Sequence, residues 1–182
     1  MASATPQRYD RRTIALHWLT AALVVFLWIG AHAIDTFPKG PLRVDARSVH
    51  IITGVGLLTI LAWRIAWRRN GGTIIPRDTT RLDQIARMIH LLLYGLLIAT
   101  IALGLLNAWV RGDSLFGLFK IPALGSYDPA ARHALSERIT GWHELGANAI
   151  LVLAGGHAVM ALVHHFGWHD GVLQRMLPDR GL

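Results

Sequence analysis

The sequence predicts an all-α membrane protein, a bundle of four transmembrane helices. Three observations carry that prediction. Of 182 residues, 53% are hydrophobic and only 16% are charged. Four separate stretches approach or exceed the roughly 20 apolar residues needed to cross a hydrocarbon layer about 30 Å thick. The first and third of these lack the polar stripe that a soluble amphipathic helix presents. No stretch has the composition of a linker, so residues 1–182 are expected to form one domain.

The first span is expected over Thr13–Ile34. It is too long for a signal-peptide core and lacks a small-residue cleavage site, so it reads as an anchor that is retained. A short outer loop, Asp35–Arg47, is turned by Pro38, Gly40 and Pro41. The second span, Ser48–Trp63, is short and bracketed by Arg47 and Arg64, which are expected to snorkel toward the two surfaces. The loop Arg68–Arg87 follows, with the turn signal Asn70-Gly71-Gly72. The third span, Met88–Val110, is the most uniformly apolar. The longest connection is Arg111–Arg138, in which Pro129–Arg138 reads as a short surface helix leading into the last span. That span, Ile139–Val163, carries His143, Glu144, Asn148 and His157, and the polar tail from Gly167 is expected to lie on the inner membrane face.

Orientation follows the positive-inside rule. With the N-terminus inside, the inner side holds eleven Lys and Arg residues (Arg8, Arg11, Arg12, Arg64, Arg68, Arg69, Arg77, Arg81, Arg87, Arg175 and Arg180). The outer side holds seven, namely Lys39, Arg43, Arg47, Arg111, Lys120, Arg132 and Arg138. Both termini are therefore expected in the cytoplasm. The net charge of +7 is mostly a topology signal, and nucleic-acid binding is not needed to explain it. The chain has no cysteine, which excludes disulfides, iron–sulfur clusters and c-type haem attachment.

Ionisable groups at membrane depth call for a partner. Of ten histidines, His17, His50, His143 and His157 fall within the expected spans, and His32 and His90 near span ends. Span direction across the membrane puts His17 and His157 near the inner surface, His50 and His143 near the outer. His157 lies fourteen residues beyond His143, about 21 Å deeper and within about 40° of the same helix face. Taken alone, each of these is as well explained by a helix–helix hydrogen bond or a proton relay. Taken as two depth-matched pairs, they have the pattern of bis-histidine ligation of two b-type haems. A small residue, Ala21, Gly54, Ala147 or Ala161, stands four positions after each, where a flat macrocycle must approach the backbone. His32 is a rival outer ligand, fifteen residues beyond His17. Zinc would need a tighter cluster. Glu144 is a candidate to hydrogen-bond a ligand imidazole.

The stretches Arg-x-x-Ile-Ala-Leu-His-Trp ending at Trp18, Val-His-Ile-Ile-Thr-Gly from Val49, Trp-His-Glu at 142–144, and Gly-His-Ala followed by Ala-Leu-Val-His-His up to His165 carry a resemblance. They are similar to the bacterial cytochrome b561 family, diheme b-type cytochromes of the inner membrane. The resemblance is nearest to the superoxide oxidase type within it. It implies a four-helix bundle enclosing two haems, with His17, His50, His143 and His157 as axial ligands to haem iron. It further implies oxidation of superoxide at the periplasmic side and reduction of ubiquinone. On that reading Arg47 and Arg138, each just outside an outer ligand, are the candidates for attracting the anion, within a field of outer cations. Arg87, His90, Tyr94, His164 and His165 are candidates for quinone or propionate contacts, His164 first because it lies seven residues past His157. The alternative is a haem b electron-transfer subunit fed by a partner dehydrogenase or c-type cytochrome, docking on the outer loop with Phe116 and Phe119. A cofactor-free channel or sensor is a third.

Overall fold

A computed structural model describes residues 8–73, 75 and 80–178; Arg77 and Arg180 of the orientation tally lie outside them. Four long helices run in order: α1 Arg11–Ile34, α2 Pro41–Asn70, α3 Arg81–Arg111 and α4 Pro129–Val163. Each contains a window long and apolar enough to cross a membrane. Much of the apolar surface faces outward, with Leu91 71% and Val152 75% exposed. That is the pattern of a bundle whose solvent is lipid, and the fold is a four-span helical membrane bundle.

The helices outrun the apolar spans because their polar ends keep the caps and the helical pattern. Asp10 caps α1, its carboxylate accepting from the Thr13 N–H at 2.9 Å and the Thr13 hydroxyl at 2.7 Å. Thr80 caps α3 by accepting from the Asp83 N–H, and Asp128 caps α4 just before Pro129, accepting from the N–H groups of Ala130 and Ala131. Pro129–Arg138 is thus no separate surface helix but the first ten residues of α4, which has 35. Likewise α2 has 30 residues, far more than Ser48–Trp63. Arg64 lies inside it, 8% exposed, and does not snorkel to the surface. The Asn70-Gly71-Gly72 signal holds: α2 stops there, with both glycine N–H groups bonded to the Trp67 carbonyl. Gly112, at φ 65°, supplies the left-handed C-cap of α3.

The connection between α3 and α4, at the end expected from the charge count to be the outer one and named so below, holds a feature the sequence did not announce, a two-stranded hairpin of β1 Ser114–Leu115 and β2 Phe119–Lys120. Three residues connect the strands; the Leu118 N–H bonds to the Leu115 carbonyl, and Phe116 and Gly117, the central residues of that turn, both take positive φ, 53° and 69°. Ser48 holds the hairpin to α2, accepting from the Phe116 N–H at 2.9 Å while its one proton lies between the Val44 carbonyl at 2.7 Å and the Ser114 carbonyl at 3.2 Å. At the other end the tail forms a π-turn at His164–Trp168 and a 3-10 turn at Leu173–Met176. It folds back on α1, where the Trp18 indole donates to the Met176 carbonyl at 2.8 Å.

Packing divides the bundle into two hairpins. α1 lies closely along α2, and α3 along α4; the two pairs meet far less closely. The α3–α4 approach is set by Gly146, where an added Cβ would stand 2.3 Å from the Thr100 hydroxyl. Toward the outer end Asn107 rivets the same two helices, bonded to Thr140 and Ser136 at 2.8 and 2.9 Å. Between the hairpins, Leu57, Leu61, Leu97, Ile101 and Ile150 form one apolar cluster. It sits midway along the bundle, since Ile150 is midway between His143 and His157.

Candidate functional site

Above and below that cluster the less tightly closed space between the hairpins is flanked by histidines. His50 on α2 faces His143 on α4 with ring centroids 6.1 Å apart. His17 on α1 faces His157 on α4 at 6.4 Å. The structure therefore brings the four histidines together in the pairs expected. A metal ion between two imidazoles sets their centroids about 6.4 Å apart, from metal–nitrogen bonds of about 2.0–2.1 Å and about 1.15 Å to each ring centre. Both separations suit a planar group ligated on its two faces. His90 stands only 5.0 Å from His157, too near for an ion between that pair.

The outer pair opens on a cavity of about 730 Å³, within the range of cofactor pockets. Gly54 and Ala147 line it, two of the four small residues singled out by their spacing, and so does Gly104. Gly104 has its own reason: a Cβ there would lie 2.9 Å from Cε1 of His143. The same turn of α3 orients that ring, for His143 Nδ1 lies 2.8 Å from the Thr100 carbonyl and, as donor, leaves Nε2 with its lone pair. The partner of His143 is thus a carbonyl of α3 and not Glu144, which lines the cavity without bonding the ring. Nδ1 of His50 is buried without a hydrogen bond. His32 lines the same cavity, its Nδ1 2.8 Å from the Trp28 carbonyl and its ring 4.2 Å from that of Trp28, tilted by 42°. Trp28 in turn donates to Asn148, tying α1 to α4 across the gap. No set of three or more His, Cys, Asp or Glu among the described residues is arranged to hold a metal by side chains alone.

The expected anion-attracting residues separate. Arg47 lines the cavity, with Asp113 3.4 Å away; Arg111 lines it too and holds the same carboxylate at 2.7 Å. Arg138 is exposed and takes no part in the wall. Arg43 is spent on the Phe37 and Asp35 carbonyls, and Arg132 on those of Val110 and Gly125. Asp35, Glu137 and Glu144 also line the cavity, so its charge is mixed. The seven outer cations therefore do not make a uniform attracting field.

At the inner end Arg64 takes the place that sequence reasoning gave to surface groups. Its Nη2 lies 3.0 Å from Nδ1 of His17, which must accept because a guanidinium only donates, the reverse of the tautomer of His143; the guanidinium stands over the Tyr94 ring at 5.4 Å. His90 contributes its Nδ1 to the Ala86 carbonyl at 2.5 Å. His164 is engaged outside the helix core, paired with Asp170 across the π-turn and packed edge-on to Trp168. Burial alone would raise the Asp170 carboxyl, but the bonds from His164 and the Val172 N–H, with the charges of His164 and Arg175, hold it below its ordinary value. Arg87 is exposed. Arg64 was missed because an arginine six residues from a helix end reads as a snorkelling flank; Gly104 and Thr100 were missed because no histidine on α3 pointed to them.

Residues 8–179 match the family model described as prokaryotic cytochrome b561. Among similar proteins, a probable superoxide oxidase CybB of Yersinia pestis is 27% identical over 179 residues, covering 96% of this chain and 98% of its own. Cytochrome b561 homolog 2 of Escherichia coli is 33% identical over 182 residues, with 95% and 93% covered. A cytochrome b562 of Cereibacter sphaeroides is 30% identical over 177 residues, with 94% and 96% covered.

Proposed function

The chain belongs to the prokaryotic cytochrome b561 family, and from that premise we propose that it is a diheme electron-transfer enzyme that oxidises superoxide at its outer end and reduces ubiquinone. Membership implies b-type haem and electron transfer; the number of haems, their ligands and the two substrates are the proposal. The observation that carries it is the pair of imidazole pairs, 6.1 and 6.4 Å across, at two depths in the gap between the hairpins. His17 and His157 would hold one haem, once Arg64 leaves Nδ1 of His17 to carry the ring proton and frees Nε2, and His50 and His143 would hold the other. Bound there, haem b supplies a one-electron carrier whose iron has no open position for oxygen. The chain's own residues do the rest. Thr100 and Gly104 hold the His143 ring in one orientation and tautomer. Gly54 and Ala147 leave room for a flat group against the backbone. The cluster around Leu57, Leu61, Leu97, Ile101 and Ile150 keeps water from the middle of the path. The reaction balances as two superoxide anions giving two electrons and two O2, with one quinone taking those electrons and two protons to become the quinol. The inward orientation of both termini, with superoxide oxidised outside, belongs to the same proposal.

The ligand assignment is tested by haem stoichiometry. Purified protein should carry two haems per chain. His17→Ala and His157→Ala should each remove the same one, His50→Ala and His143→Ala the other. Loss of both haems or of neither from any of these variants would break the pairing. A second reading, a subunit fed by a redox protein, draws on the outer hairpin, where Leu118 is 91% and Phe119 61% exposed. That reading expects haems that a protein donor reduces and superoxide does not.

A further inference from the structure

Two buried hydrogen-bonding atoms beside the inner imidazole pair have nothing to bond: Nε of Arg64 and the hydroxyl of Tyr94. Arg64 is 8% exposed, its guanidinium lies over the Tyr94 ring, and its other contact is an imidazole. Among the described residues no carboxylate pairs with Arg64; the carboxylate pairs of Arg43, Arg47 and Arg111 lie at the outer end. A buried cation without a counter-charge is costly, and at membrane depth such a residue marks a functional site. Guanidinium N–H groups only donate, and a phenol hydroxyl is a donor as well, so what both need is an oxygen acceptor. The surroundings specify the rest of the ligand. Tyr94 and Ile65 pack on the Leu57–Leu61–Leu97 cluster, which suits an apolar ring and leaves little for a highly polar one.

We propose that Arg64 and Tyr94 hold a carbonyl oxygen of the quinone, in a site between α2 and α3 at the inner end of the bundle. The inference rests on the reading of quinone as the electron acceptor and gives that acceptor its place. The chemistry favours an uncompensated cation. A quinone carbonyl arrives neutral and gains negative charge as two electrons enter; two protons from the inner aqueous side then complete the quinol. A guanidinium already paired with a carboxylate would gain little from that change. One with a free N–H attracts the oxygen more strongly as its charge develops, which is stabilisation of the reacting state over the bound one. The Tyr94 hydroxyl donates to the same oxygen. His90, one turn earlier on the same face of α3, stands beside the pair.

The test uses haem-loaded protein in detergent with decylubiquinone as probe, comparing wild type, Arg64→Gln and Tyr94→Phe. Binding is read as the quinone-dependent rise in unfolding temperature, without turnover, and separately as the concentration dependence of reoxidation of pre-reduced protein. Tyr94→Phe keeps the ring packing and so separates a lost donor from a lost fold. Both variants should retain two haems and bind the quinone about tenfold more weakly or worse. Wild-type quinone affinity in both variants would overturn the site. So would loss of haem with quinone binding intact, which would give these donors to a haem propionate. If wild type neither binds nor is oxidised by decylubiquinone, the acceptor reading itself fails and this site with it.

Discussion

His143 is oriented almost entirely by α3: the Thr100 carbonyl fixes its Nδ1, and the missing Cβ of Gly104 leaves room for its edge. Replacing Gly104 by Ala puts a methyl group 2.9 Å from Cε1, so the ring must turn or shift. We expect Gly104→Ala to weaken retention of the outer haem roughly tenfold, the usual scale for a disturbed ligand support, with the inner haem kept. Haem titration into the haem-free protein measures it, and equal loss of both haems would contradict the assignment. Arg47 and Arg138 offer a second comparison at this scale. Arg47 lines the outer cavity and Arg138 does not, so Arg47→Gln should slow reduction of the protein by superoxide while Arg138→Gln leaves it near wild type. Stopped-flow traces of the two variants decide it; the reverse order would remove Arg47 from the site.

Asp10 joins one helix to the next. It caps α1 through Thr13 and also accepts from the Trp67 indole and the Thr73 N–H, both at 3.0 Å, at the end of α2. Burial alone would raise its carboxyl, but these bonds outweigh that and hold it well below the usual carboxylate range. A folded-state value below the unfolded one stabilises fully above about pH 3.9 and fades as the pH falls toward the folded value. Asp10→Asn should therefore cost about 1 kcal/mol near neutral pH, with the deficit shrinking in acid. Denaturation of the detergent-solubilised protein at several pH values gives the answer; a deficit that grows in acid would be the wrong sign. The helices themselves were legible in the sequence because apolar run length reports the membrane directly. Their true ends were not, because Arg43, Asp45 and Arg47 break the apolar run without breaking the helix. The hairpin at Ser114–Lys120 was hidden for a related reason: Phe116 in a left-handed conformation has no sequence signal, and the Ser48 hydroxyl that holds the hairpin is 66 residues away.

For the whole molecule, the pairing of histidines by depth could be read from direction and spacing alone, since four antiparallel spans fix which residues share a level. Which polar residues face inward could not be so read. Arg64 looks like a flank and is buried, whereas His164 shares a helix face with His157 and then pairs with Asp170 beyond a π-turn. The bundle of two closely packed hairpins with a looser gap between them suits a cofactor protein, in which a rigid group held by both hairpins would fill the gap. On the proposed function, electrons enter from superoxide and leave to quinone. It is tested most directly on purified, air-oxidised protein, with enzymatically generated superoxide, catalase present, and the haem α-band followed with and without ubiquinone. Superoxide should reduce the haem quickly, and added quinone should reverse that reduction. A haem band indifferent to superoxide would contradict that function and favour a protein donor.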